Sequence, residues 1–328
     1  MKKLLKLLGR ILALCLALLL ILALVMIVVP LTETGDKTPV PGSADWMAAL
    51  PDDRLLSEIV IPGTHDSGTQ YVQLAFFSKC QSMDIAQQLE AGFRYLDIRL
   101  GAQEHDQGFL LMHGFTKCRT GAFSSENLGL DAVLNDCYRF LDAHSTETIL
   151  FAVKQEHGEE SVTVFENMLD ACIRDNEDHW LLTDSIPTLG DARGKLVLLR
   201  RYADEAGLGS RAGIPFLWAN QNGHDDVSKN AAAEVNGYTL YVQDRYEYGA
   251  EDKWKAFTAG MDAGRGRGAE DISLSFLSTK GTLAYGHPWH FAKDLNERLL
   301  QANLALDGWV IVDFASSPLA ERIYSANP

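Results

Sequence analysis

Apolar residues in this chain recur in short runs, and their spacing predicts the fold. Beyond residue 45 the runs fall at 58–61 (EIVI), 95–100 (YLDIRL), 109–113 (FLLMH), 148–154 (TILFAVK), 195–201 (KLVLLRR), 239–243 (TLYVQ), 272–277 (ISLSFL) and 309–314 (WVIVDF). Several are near-continuous rather than alternating, as in strands covered on both faces. Segments with helical character lie between many of them, at Ser125–His144, Gly158–Arg174, Lys253–Ala263 and His290–Asn303. In the first of these, Leu130, Val133, Leu134, Tyr138 and Leu141 repeat at helical spacing. Eight strands alternating with helices predict an α/β fold, a single (β/α)8 barrel of TIM type. The early crossovers are short or irregular, so the barrel is expected to be distorted.

The N-terminal segment follows a different pattern. Lys2, Lys3, Lys6 and Arg10 precede an uncharged apolar run from Ile11 to Leu31. Those 21 residues match the roughly 20 that cross a bilayer as a helix. A secretory signal has a shorter apolar region and a small-residue cleavage site. An uncleaved signal-anchor at 1–31 is therefore the favoured reading, with a cleaved signal as the alternative. Leu14 is a poor match to the small residue expected before a lipidated cysteine, which weighs against lipidation of Cys15. The flanking cations place the N-terminus on the cytoplasmic side and the rest outside. Residues 32–45, rich in Pro, Gly, Thr and Asp, read as a linker to a barrel domain spanning 46–328.

Charge and cysteine content narrow the chemistry. The formal net charge is -15, and the four N-terminal cations offset part of a larger acidic excess beyond them. Nucleic acid is excluded as a partner, because phosphate backbones need a basic footprint. Cys80, Cys118, Cys137 and Cys172 permit zero, one or two disulfides outside the membrane. No CxxC motif or Cys/His spacing fits structural zinc.

In such a barrel, reactive groups gather at the C-terminal ends of the strands. Those ends carry His65 and Asp66, Asp97 and Arg99, His113, Lys154, Arg201, Asp244 with Tyr246 beyond, a position near Ser275, and Asp313. Each has an ordinary structural role available: Asp97 and Arg99 as an ion pair, Lys154 extended to solvent, Asp313 capping a helix. Their joint occurrence favours a site. Of two histidines with carboxylate partners, one can accept a proton while the other donates one. A guanidinium can grip a phosphate and neutralise the charge that develops on it. That combination suits metal-free cleavage of a phosphodiester. His105, His144 and His224 sit in polar loops or at helix ends and are expected to be solvated. His287 and His290, in YGHPWHF, are candidates for a rim. Trp289–Phe291 divides evenly between an interfacial aromatic rim and core packing.

The segments IPGTHDSGT, QSMDIAQQLEAGFRYLDIRL and LMHG resemble the X-domain signature of phosphatidylinositol-specific phospholipases C. The likeness continues through FLDAHSTETILFAVKQE, DARGKLVLLRRY, VQDRYEY and GWVIVDF, in order, over roughly residues 50–320. The branch it resembles is the bacterial, metal-independent one, because Arg99 stands where calcium-dependent relatives carry an acidic metal ligand. The resemblance implies His65 as general base on the inositol 2-hydroxyl, Asp313 as its orienting carboxylate, and His113 as general acid with Asp66 as partner. It also implies Arg99 on the phosphate, with Asp97 supporting it. Lys154, Arg201 and Asp244 would bond the inositol hydroxyls, and Tyr246 would stack on the ring. The implied substrate is phosphatidylinositol, free or glycosylated, met at a membrane surface by a monomer that needs no cofactor and no metal. A Cys80–Cys118 disulfide stays open, as both lie on loops near the site; Cys137 and Cys172 read as buried thiols. Two alternatives remain: a metal-dependent glycerophosphodiesterase-like barrel, and a non-catalytic barrel that binds inositol lipids.

Overall fold

The computed structural model describes residues 2–31, 35–103, 108–221, 231–281 and 286–328. Its strands are β1 (Ile61–Thr64), β2 (Tyr95–Ala102), β3 (Phe109–His113), β4 (Thr116–Lys117), β5 (Ile149–His157), β6 (Trp180–Leu181), β7 (Leu196–Arg200), β8 (Ile214–Pro215), β9 (Ala231–Val235), β10 (Tyr238–Gln243), β11 (Ile272–Phe276) and β12 (Trp309–Val312). Its helices are α1 (Lys2–Val28), α2 (Ala75–Ser78), α3 (Ile85–Glu90), α4 (Leu130–Ala143), α5 (Val162–Arg174), α6 (Leu189–Ala192), α7 (Ala250–Gly264), α8 (Trp289–Gln301) and α9 (Ser317–Tyr324). Local signals set several of the helix starts: Asp84 caps α3, Ser161 caps α5 and Thr188 caps α6, each accepting a backbone N–H from the first turn.

The parallel strands run in the order β10-β11-β12-β1-β2-β5-β7, with β6 and β8 on the far edge of β7 and β9 antiparallel beyond β10. Seven of the eight predicted strands thus belong to a distorted barrel. The run at 109–113 does not: β3 pairs antiparallel with the extended end of β2 and turns back into β4, forming a side hairpin. Its near-continuous apolar character comes from burial beneath α4, α5 and the first loop rather than from a place in the barrel wall. The position it left is filled by β6 and β8, two-residue strands against opposite halves of β7. Among the described residues no backbone ladder joins this edge to β10. Side chains bridge it instead: Tyr238 Oη donates to Pro215 O (2.7 Å) and Gln221 Nε2 to Val242 O (3.1 Å).

Strand parity explains where the chemistry sits. Tyr95 on β2, Leu150 and Ala152 on β5, Val197 and Leu199 on β7, Leu240 and Val242 on β10, and Trp309 and Ile311 on β12 pack into one interior core. Their neighbours Leu96, Ile98, Ile149, Phe151, Val153, Leu196 and Leu198 pack outward against helices. Successive side chains on a strand alternate between faces. Two further residues along the inward register therefore bring Asp97 and Arg99, Lys154 and Glu156, Arg201, Asp244 and Asp313 to the open end of the barrel.

At the opposite end, a fully buried Arg94 donates to Glu147 (2.9 Å), and Glu147 also accepts from the Met47 amide (3.0 Å). That pair ties residues 43–49 to the barrel floor. His144 is not solvated as expected, because it bonds Asp45 at 2.8 Å on the same face. His105 and His224 lie outside the described residues.

Candidate active site

The two histidines sit in matched environments. His65 Nδ1 lies 2.8 Å from Asp313 Oδ1, and His113 Nδ1 forms a short bond to Asp66 Oδ2. Each carboxylate accepts an N–H, which fixes the tautomer and leaves Nε2 as the working nitrogen. Burial alone would lower the pKa of His65, but the charge of Asp313 and its hydrogen bond outweigh burial and the Arg99 cation, so the net shift is upward.

Arg99 lies between the pairs. Its Nη2 is 2.8 Å from His65 Nε2, and its Nη1 is 3.4 Å from Asp66 Oδ2. Asp97, fully buried, accepts from Arg99 Nε (3.1 Å) and Nη2 (3.0 Å), from Arg201 Nη1 (2.8 Å) and from the Asp66 amide (3.1 Å). Burial would raise its pKa, but the two guanidiniums and this amide overcome that and hold it well below the carboxylate range. For Arg99, the charges of Asp66, Asp97 and Glu156 outweigh burial and strengthen its hold on its proton.

All the predicted residues converge. His65, Arg99, His113, Lys154, Arg201, Asp244, Tyr246 and Asp313 line one cavity of about 520 Å³, with Asp66 and Asp97 just beneath. On one wall the Arg201 guanidinium stacks over Trp218 at 4.1 Å, and Trp218 Nε1 donates to Asp244 Oδ2 (3.2 Å). Tyr246 Oη donates to Asn220 Oδ1 (2.8 Å), and the Lys280 ammonium lies 5.3 Å from the Tyr246 ring centre.

The sequence reading omitted Glu156, Trp218 and Asn220. Glu156 accepts from Lys154 (2.6 Å), from Arg99 Nη1 (3.4 Å) and from the Gly114 amide (3.1 Å), so it links two cations to the turn after His113. Its signal was present, since it stands two residues beyond Lys154 on one strand and so on the same face. Trp218 and Asn220 follow a two-residue strand and carried no periodic signal.

Three further expectations resolve here. All five cysteines are thiols, so Cys80 and Cys118 are unpaired. The Cys80 sulfur faces His113 Nδ1 at 3.9 Å, while Cys118 is buried in the core beneath α3 and α4. Cys137 is buried as expected and Cys172 only partly so. The Trp289–Phe291 segment is divided: Phe291 is buried, Trp289 is half-buried against Phe314 with ring centres 5.0 Å apart, and His290 is exposed. His287 is buried rather than on a rim and stacks on Phe76.

Fold and site together define an α/β-barrel protein with two carboxylate-backed imidazoles around the Arg99 guanidinium. Residues 55–202 match the family model of the phosphatidylinositol-specific phospholipase C X domain. The 1-phosphatidylinositol phosphodiesterase of Staphylococcus aureus (strain Newman) is 28% identical over 290 residues, covering 83% of this chain and 88% of that one. Its counterpart from Listeria monocytogenes is 28% identical over 303 residues, covering 86% and 84%. A solved structure of the S. aureus phospholipase C superposes with a TM-score of 0.72 at 26% identity, covering 87% of this chain and 98% of that one. The X-domain match thus spans the first half of the barrel, and the similarity to the bacterial phosphodiesterases extends over most of the chain.

Proposed function

We propose that this chain is a phosphatidylinositol-specific phospholipase C, cleaving phosphatidylinositol, free or glycosylated, to diacylglycerol and inositol 1,2-cyclic phosphate. The observation that carries the reading is the placement of Arg99 against both histidine–carboxylate pairs. Neutral His65 takes the proton of the inositol 2-hydroxyl as that oxygen attacks phosphorus, and Asp313 stabilises the imidazolium that results. Protonated His113, backed by Asp66, gives its proton to the departing diacylglycerol oxygen. A phosphate oxygen replaces His65 Nε2 as the acceptor on Arg99, whose charge meets the pentacoordinate state. Asp97 holds Arg99 in place from below. Lys154, Arg201 and Asp244 bond the inositol hydroxyls and Tyr246 covers the ring. With Arg99 supplying the positive charge, the reaction proceeds without a divalent metal.

In this reading, residues 1–31 anchor the chain in the membrane, 32–45 form the connection and 46–328 act outside the cytoplasm as a monomer. The test is to incubate the full chain in detergent micelles with phosphatidylinositol and EDTA and follow products by phosphorus NMR. Inositol cyclic phosphate is the expected product, reduced on the order of 10²–10⁴-fold in His65→Ala and in His113→Ala. A phosphomonoester formed only after metal is added overturns the mechanism, and full turnover by His65→Ala overturns the base assignment. No turnover on any inositol lipid would favour a binding barrel.

A further inference from the structure

The connection between the apolar helix and the barrel is attached to the barrel at several points. The end of α1 and the turn after it, Val29–Leu31, lie against α2. The Lys79 ammonium, at the end of α2, donates to Pro30 O, and both residues are buried. Farther along, the Ser317 amide donates to Asp36 O (2.9 Å), and Gly35 lies so close to Ser316 that a Cβ there would sit 3.1 Å from the serine Cβ. The Lys37 ammonium bonds Ser82 O.

These attachment points fall on two segments that also build the cavity. Ala75–Ser82 contributes Phe77 and Cys80 to its lining, and the segment after β12 begins with Asp313. Only three residues separate Leu31 from Gly35, a reach of at most about 14 Å even when fully extended. The barrel is therefore held close to the end of α1, with the cavity on the same side. Leu74 and Phe77, 55% and 48% exposed, continue the apolar surface of α1 onto that rim.

We propose that this connection is an orienting strut: it turns the open end of the barrel toward the bilayer in which α1 is embedded, so that substrate is drawn from the chain's own membrane. The partner surface is the headgroup layer of the leaflet next to residues 29–31. The inference rests on retention of α1 and on the lipid substrate proposed above. A lipid in the same membrane meets the site at an effective concentration set by a short, fixed connection, whereas a lipid on another vesicle must first collide with it.

The test uses the full chain in proteoliposomes, with phosphatidylinositol placed either in the same vesicles or in chain-free ones. The comparison variant combines Lys79→Ala with an insertion of about twelve Gly/Ser residues after Leu31, enough for roughly 20 Å of free play. The native chain is expected to cleave same-vesicle lipid at least tenfold faster than lipid on other vesicles, and the variant to lose most of that preference while keeping its activity on micellar lipid. Backbone hydrogen exchange over residues 35–40 and 72–82 supplies a readout that needs no turnover: it should be at least tenfold slower in the native proteoliposomes than in the variant. Equal rates on both vesicle populations, a preference unchanged in the variant, equal exchange, or a mature chain lacking α1 would each overturn the strut. An inactive chain that still shows the exchange difference would refute the enzymatic reading and leave the orientation supported.

Discussion

Replacing Glu156 with Gln tests whether the carboxylates around Arg99 are held ionised by its cation cluster. Burial favours the neutral acid, but the charges of Arg99 and Lys154, the Lys154 hydrogen bond and the Gly114 amide prevail, holding Glu156 down to about 2 against an ordinary 4.5. The side chain is only 9% exposed, so solvent screening is modest. Converted by linkage, that depression corresponds to about 3 kcal/mol of folding stability near neutral pH. Because the folded-state value lies below the unfolded one, the contribution is complete above the unfolded pKa and is lost as pH falls through the folded value. Urea unfolding of native protein and Glu156→Gln should therefore differ by about 3 kcal/mol at pH 7 and by roughly 1 kcal/mol at pH 3, since a protonated Glu resembles Gln. A gap that stays constant across this range, or one under about 0.5 kcal/mol at pH 7, would refute the account of a charge-held carboxylate.

Other substitutions test different parts of the molecule. Asp313→Asn removes the charge that raises the His65 pKa, so the acid limb of the kcat/KM profile should move to lower pH while kcat falls; an unmoved limb would separate His65 from the base step. Lys253, fully buried against Gln243 Oε1 (3.0 Å) and Arg245 O (3.2 Å), has its pKa pulled down by burial to about 7. Its folded-state value lies below the unfolded one, so the penalty for burying the charge is complete below about pH 7 and is relieved as pH rises toward 10. Native protein should gain about 2 kcal/mol on Lys253→Met between pH 7 and pH 9 in urea unfolding, and parallel curves would contradict this. Gly63→Ala places a Cβ 2.3 Å from Ile311 Cδ1 and 2.7 Å from Tyr95 Cβ, and thermal unfolding should show a loss of about 1–3 kcal/mol.

What the sequence revealed and what it hid have physical causes. The strands at 95–102, 149–157, 196–200, 238–243, 272–276 and 309–312 are apolar runs bounded by polar turns, and helices α4, α5, α7 and α8 kept their predicted places within a few residues. The first strand was placed too early: Leu56–Glu58 form a single helical turn, and the ladder begins at Ile61. The hairpin at 109–113 misled because burial on both faces looks the same whether it comes from helices around a barrel or from a loop and two helices outside it. The half-strands β6 and β8 are too short for any period to register. Glu156 was overlooked through attention to single strand ends, although the inward register runs on past Lys154.

The segment Ile61–Thr69 shows how one short stretch sets the site. His65 and Asp66 are adjacent, yet their side chains serve different histidine pairs, which an ordinary extended backbone does not account for. Asp66 takes a left-handed conformation with φ 49°, tolerated best by Gly, Asn and Asp. The Asp66 amide held by Asp97 Oδ2 (3.1 Å) and the Ser67 amide held by Asp97 O (3.0 Å) fix that turn from the neighbouring strand. The chain is thereby redirected so that His65 reaches Asp313 while Asp66 reaches His113. Gly68 completes the arrangement, because a Cβ there would sit 2.1 Å from Leu111 Cδ2, inside the hairpin that carries His113. A side chain at position 68 would force Leu111 out of its place in β3, on the strand that ends at His113. The second glycine of the motif thus lets the first loop pack closely on Leu111, in the strand outside the barrel that brings His113 to Asp66.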